Sequence, residues 1–259
     1  MNLFANRFVA EWLEGLGRLS LLAKDALGSL FTLKLSAKDF LYQLYFIGVK
    51  SQSVVVVTGA FTGMVLCAQT YIQFHKVKMD DATLAVVSVS MCSELGPVLT
   101  ALMVTARVGA SMAAEIGTMK VTEQIDALRT LATHPVDYLV TPRLLAAVVS
   151  MPLLTAESIA IGITAGYFVG VLLLGIDPAY SFYNIQRYTG DVDLSIGLIK
   201  AVIFGGILSL LGCYKGMTCG EGAEGVGRAT TEAVVYASIS ILVSNFFLTI
   251  TLSELLKYL

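Results

Sequence analysis

Five apolar stretches, near residues 51–73, 83–106, 144–174, 194–214 and 232–256, are each long enough to cross a bilayer. About 20 apolar residues make one helical crossing, and lipid offers no partner to an open backbone hydrogen bond, so such stretches are confined to helices that close their own bonds. An all-α polytopic membrane protein with five transmembrane helices is therefore predicted. Composition agrees: 14% of the residues are charged, against about 25% in ordinary soluble domains. The third stretch holds 31 residues, which as a straight helix would reach roughly 46 Å against a hydrocarbon core of about 30 Å. Tilt, a kink at Pro152 or extension past the lipid must absorb the excess.

The net charge of −2 and the lack of long charged runs give no footprint for nucleic acid. Four cysteines without CxxC spacing and two isolated histidines point to neither a disulfide scaffold nor a metal site. Glu11 and Glu14 interrupt the apolar residues near the N-terminus, so no cleaved signal peptide is expected. With no tandem repeat or low-complexity segment, residues 1–259 read as a single transmembrane domain, with residues 1–45 as an N-terminal helical segment within it.

Basic residues set the expected orientation. Twelve fall before the first span, between the second and third, or between the fourth and fifth, and only five on the opposite side. The positive-inside rule then places the N-terminus in the cytoplasm and the C-terminus outside it. Ahead of the first span, Phe8, Trp12, Leu16, Leu19, Ala23, Ala26 and Leu30 recur at helical spacing opposite Arg7, Glu11, Glu14, Arg18 and Asp25. Such a helix lies in the membrane plane or packs on a partner protein. Within the spans, Gly59 and Gly63, then Gly162, Gly166 and Gly170, then Gly212 and Gly216, repeat every four residues and let a neighbouring backbone approach closely.

Between the second and third spans the chain turns polar: "EIGTMKVTEQIDALRTLATHPVDYLVTPR", residues 115–143. Val121, Ile125, Leu128 and Leu131 form one stripe, with Thr122, Glu123, Asp126, Arg129 and Thr130 on the other side. Gly117 is the expected elbow, and His134-Pro135 the expected stop. A solvated helix resting on headgroups is one reading. The other is a docking helix that receives force from a cytoplasmic motor, since both of its ends are tied to spans. The chain itself has no GxxxxGK[ST] loop, so any ATP-binding motor belongs to another chain.

Two charges stand inside spans. Glu94, in the second, carries an insertion cost of about 2.5–3.5 kcal/mol, and Pro97 leaves the carbonyl of Ser93 without its helical donor. Lys200 enters the fourth span, where it pairs with Glu94, holds a lipid phosphate, or snorkels to the interface. Glu157 is mid-span in the third, as a polar contact or a charge packed against another subunit. Gln69 and Tyr71 close the first span as interface or pocket residues.

The segment "ELGPVLTALMVTARVGASMAAEIGTMKVTEQIDAL" (94–128), with "HPVDYLVTPRLLA" (134–146) and "GVGRATTEAVV" (225–235), resembles the MlaE-type permeases. These are membrane subunits of ABC transporters that move phospholipids between the two membranes of diderm bacteria. The resemblance implies a non-catalytic inner-membrane subunit, without cofactor, that helps maintain outer-membrane lipid asymmetry. It implies a homodimer with a lipid pocket at the seam, an N-terminal interfacial helix and a cytoplasmic coupling helix between spans two and three. The implied partners are a separate ABC ATPase, a periplasmic MCE-domain hexamer and a small cytoplasmic STAS-domain protein. Coupling to the ATPase maps to Glu115, Gly117, Thr118, Met119, Thr122, Glu123, Gln124 and Leu128, with Arg129 beside them; Glu94, Lys200, Asn245, Ser93 and Gln69 map to the lipid pocket. Many relatives carry arginine at Ser93 and aspartate at Asn245, so a positive and a negative group are absent together. Paired loss is nearly free where single loss strands a charge, and Ser93 and Asn245 are expected to approach each other. Two competing classes remain: an ion- or proton-coupled carrier using Glu94 and Lys200, against which the absence of an inverted repeat speaks, and a lipid-modifying enzyme using Glu94 and Glu157, which no catalytic motif supports.

Overall fold

The computed structural model describes residues 2–31 and 37–256, with the side chains of residues 2–13, 16, 30, 31 and 256 outside the described set. Every regular element among them is helical. Five are long and apolar enough to cross a membrane: Ala37–His75, Asp80–Val121, Val136–Leu173, Asp191–Met217 and Gly222–Leu255. All five expected spans are present, but most run well past their expected ends. The second holds 42 residues, about 63 Å of helix against a core of about 30 Å. A hydropathy window stops where polar residues begin; a helix does not, because each added residue still closes a backbone bond.

Helix α1 (Asn2–Phe31) precedes the spans and touches the third and fourth at one end of the bundle. Its buried line is Leu22, Ala26 and Ser29, with Leu19 and Ala23 half-buried and Glu14, Arg18 and Asp25 exposed. The side chains of Phe8, Trp12, Leu16 and Leu30, expected on the same face, and of Arg7 and Glu11 opposite, lie outside the described residues. The first span consists of α2 (Ala37–Ile47), a one-turn bend and α3 (Gln52–His75). The second is α4 (Thr83–Ser90), α5 (Gly96–Val104) and α6 (Ala110–Val121), joined by wide π turns at Met91–Leu95 and Thr105–Gly109. After it comes α7 (Gln124–Thr130).

The third span opens with a π turn, Val136–Val140, and continues as α8 (Thr141–Phe168), which runs unbroken through Pro152. Extension thus takes up the excess length. Helix α9 (Pro178–Tyr188), a short amphipathic segment that the sequence reading missed, leads to α10 (Asp191–Met217) and α11 (Gly222–Leu256).

Glycines set the spacing between spans. A Cβ on Gly59 would sit 2.8 Å from the Ser158 carbonyl, and one on Gly63 would fall on the backbone of Gly162. The constant register makes the first and third spans parallel neighbours. Gly212 and Gly216 press in the same way on Gly109 and Ala113 of the second span. Spans two, three and four form the centre around Val104, Met112, Ala147, Met151, Phe204 and Leu208. The first and fifth are peripheral: only 22% and 17% of their most apolar windows are buried, so their outer faces await lipid or another subunit.

Candidate functional site

The polar groups of the spans converge where the second, fourth and fifth meet. Pro97 has no N–H for the Ser93 carbonyl, and α4 widens into the π turn, where Gly96 donates five residues back to Met91 instead. The freed carbonyl accepts Lys200 Nζ at 2.9 Å. The same ammonium donates to Glu94 Oε1 at 2.7 Å and to Thr249 Oγ1 at 2.9 Å. A lysine has three N–H donors, so all are in use. Lys200 is completely buried, which removes snorkelling, while the Glu94 side chain keeps 37% of its surface open.

Helix α11 completes the cluster. Asn245 Nδ2 donates to Glu94 Oε2 at 3.0 Å, and Thr249, one turn further along the same face, lies 2.9 Å from Oε1. Asn245 Oδ1 is buried without a hydrogen-bond partner. Ser93 Oγ turns the other way and donates to Asp193 Oδ1 at 3.2 Å, and Asp193 also accepts the Gly190 amide at the start of α10. Ser93 and Asn245 thus both border Glu94 but are bonded to different carboxylates. A buried ion pair offsets its desolvation cost only with good geometry and satisfied neighbours, and Glu94–Lys200 has three supporting groups. Gln69 is exposed on α3 and shares no hydrogen bond with this cluster.

The polar elbow lies at the other end of the second span. Gly117 is not the elbow: α6 runs through it to Val121. A Cβ there would meet Cys219 Sγ and Val226 at 3.4 Å, an ordinary contact, and the Gly117 carbonyl accepts from Cys219 Sγ at 3.5 Å. The chain bends at Thr122–Glu123, where Glu123 takes φ +59°, a left-handed conformation uncommon outside glycine. Helix α7 ends at Thr130, short of His134-Pro135. Ala132 at φ +55° and the bond from Thr133 N to Leu128 O at 3.1 Å close it in a Schellman-type turn. Pro135 heads the third span rather than stopping α7.

On α7, Ile125 is buried and Leu128 half-buried, while Leu131 is 74% exposed and Val121 39% exposed, so the apolar stripe is half as long as expected. Thr122, Glu123, Gln124, Asp126 and Arg129 face outward, Arg129 bonded to Asp126 at 2.9 Å. Thr118 and Thr122 bond back to their own helix, and Met119 packs on the core. Glu115, half-exposed, pairs with buried Arg143 of α8 at 3.0 Å and lines a cleft of about 500 Å³ with Tyr42, Phe46, Thr118 and Met119.

Several polar ties between elements escaped the sequence reading. Arg107 reaches from the second span to Ser51 Oγ at 2.7 Å and the Phe46 carbonyl at 3.3 Å, pinning the bend between α2 and α3. Lys120 holds the Cys219 carbonyl at 2.7 Å, and Glu232 joins Lys215 and Arg228 at 2.8 and 2.9 Å. Thr249 was legible in principle, four residues after Asn245 and so on the same face. Glu157 has no polar partner among the described residues. It lines a groove of about 560 Å³ between α2 and α8 with Leu41, Tyr45, Gln52 and Ser150.

Five apolar spans, three of which meet at a sunken ion pair, with an exposed helix tied between two of them, define a polytopic membrane protein of the permease type. The family model described as Permease MlaE matches residues 40–251, and the chain belongs to that family. Its relatives include the Probable ABC transporter permease protein of Rickettsia conorii, 46% identical over 239 residues and 92% of each chain. Another is the Synechocystis Probable ABC transporter permease protein, 40% identical over 83% of this chain and 82% of its own. The Intermembrane phospholipid transport system permease protein MlaE of Haemophilus influenzae is 35% identical over 93% of each chain.

Proposed function

We propose that this chain is the permease subunit of an ATP-driven phospholipid transporter that exchanges lipid between the inner membrane and a periplasmic carrier and so maintains outer-membrane lipid asymmetry. The observation that carries the reading is that one continuous helical path, Asp80–Val121, bears the Glu94 cluster about a third of the way along and leads into the exposed elbow at its far end. Glu94 and Val121 are 27 residues apart, about 40 Å of helix, so the same path links the cluster to the elbow.

As an ABC transporter permease the chain is non-catalytic, and a separate cytoplasmic ATPase supplies the energy. Two copies face each other across the exposed side of the fifth span, where Leu242, Phe246 and Ile250 lie bare beside Asn245. The lipid pocket is the seam between them, lined by Glu94, Asn245 and Ser93, with Lys200 holding Glu94 in place. The elbow residues Glu115, Thr118, Met119, Thr122, Glu123, Gln124 and Arg129 seat on the ATPase. The N-terminus and the elbow are cytoplasmic, the C-terminus periplasmic; an MCE-domain hexamer covers the periplasmic face and a STAS-domain protein joins the ATPase. ATP binding shifts the seam between open and closed states only if the ATPase holds the elbows differently in each.

The test is reconstitution in vesicles with fluorescent phospholipid. Transfer that requires both the ATPase and ATP supports the proposal. Transfer driven by an ion gradient with no ATPase present overturns it in favour of the carrier reading, and chemically altered lipid would indicate an enzyme.

A further inference from the structure

The hydrogen-bond inventory of the Glu94 cluster is lopsided. Its one cation, Lys200, spends all three N–H donors on Ser93 O, Glu94 Oε1 and Thr249 Oγ1 and has no exposed surface. The single hydroxyl hydrogen of Ser93 is on Asp193, and that of Thr249 serves either Glu94 Oε1 or the Asn245 carbonyl, both 2.9 Å away. Only the second N–H of the Asn245 amide is left as a donor. Acceptors are left over: a carboxylate offers about four lone-pair sites, and Glu94 receives at most three bonds here. Asn245 Oδ1 has no partner at all. The charges lean the same way, since Glu94 and Asp193 stand against one ammonium, and the Glu94 side chain keeps 37% of its surface open.

We infer that this site, if it is the lipid pocket proposed above, selects headgroups that carry positive charge and donate N–H bonds, as the primary ammonium of a phosphoethanolamine lipid does, over headgroups that offer phosphate oxygens alone. A phosphate brought to the cluster would meet saturated donors and an excess of negative charge in a poorly screened setting, whereas an ammonium fills the open lone pairs of Glu94. Ser93 contributes to this bias, because an arginine at that position would add five fixed donors.

The full chain is reconstituted in vesicles of equimolar phosphatidylethanolamine, phosphatidylcholine and phosphatidic acid, extracted and washed, and its retained lipid quantified by mass spectrometry. Choline carries the same charge as ethanolamine but no N–H, so the mixture separates charge from donation. The expected result is about tenfold enrichment of phosphatidylethanolamine over each competitor, with Ser93→Arg shifting retention toward phosphatidic acid. Equal retention of the three lipids by the unmodified chain, or preference for either competitor, overturns the inference while leaving the transport reading intact. Retention of no lipid overturns both.

Discussion

Replacing Lys200 by methionine is the most informative single perturbation of the bundle. The substitution keeps the apolar stem and removes three hydrogen bonds at once. The Ser93 carbonyl then has no donor, because Pro97 cannot supply one, and a buried acceptor left unpaired costs about 1–3 kcal/mol. Glu94 loses its counter-charge as well. Removing one partner of a fully buried pair costs about 3–5 kcal/mol, and because 37% of the Glu94 side chain is open, the low end of that range, about 3 kcal/mol in all, applies here. Glu94→Gln is expected to cost at least as much, since the ammonium left behind has no exposure through which water could help it. The double variant removes both charges. Its loss of stability should fall short of the sum of the single losses by about 1.5 kcal/mol or more. Unfolding in mixed micelles, followed by circular dichroism, measures all three. Single losses that add to within about 0.5 kcal/mol would refute the view that these side chains act as one unit.

Gly63→Ala should destabilise the protein by at least about 2 kcal/mol, because its methyl group falls on the Gly162 backbone; Gly206→Ala in the fourth span, where a Cβ meets nothing within 4 Å, should leave the midpoint of thermal unfolding unchanged or raise it slightly. Arg107→Met should free the bend at residues 48–51 by removing its bonds to Phe46 O and Ser51 Oγ, read as faster amide hydrogen exchange across α2 with α10 unaffected.

The five crossings were legible because a run of apolar residues has few other fates, and helix contacts could be read from the glycine spacing. The elbow was misplaced for a physical reason. Glycine suggested flexibility at Gly117, but there it continues the helix, while the bend falls on Glu123, whose positive φ no residue preference announces. Helix α9 is too polar to register as a span; its signal was Asp177-Pro178, a side-chain cap on the Ala179 and Tyr180 amides followed by proline in the first turn. For the site, the sequence supplied a carboxylate and a carbonyl freed by proline on the second span and a lysine on the fourth. Their joining depends on how α10 packs against the π turn at Met91–Leu95, which periodicity cannot give. The reach of Lys200 into the Ser93 carbonyl is therefore a finding of the structure.

The account stands on the elbow being where an external motor grips this chain. Glu123 and Arg129 are both exposed, and the ion pair that the change breaks, Arg129 with Asp126, is of the exposed kind that contributes less than about 1 kcal/mol to stability, so Glu123→Lys with Arg129→Glu should insert and fold normally. The decisive measurement is ATP-dependent phospholipid transfer by this double variant beside the unmodified chain, with the ATPase retained on each quantified in the same preparation. The account predicts normal membrane insertion, loss of the bound ATPase and transfer at background. Undiminished ATPase retention together with undiminished transfer would contradict it.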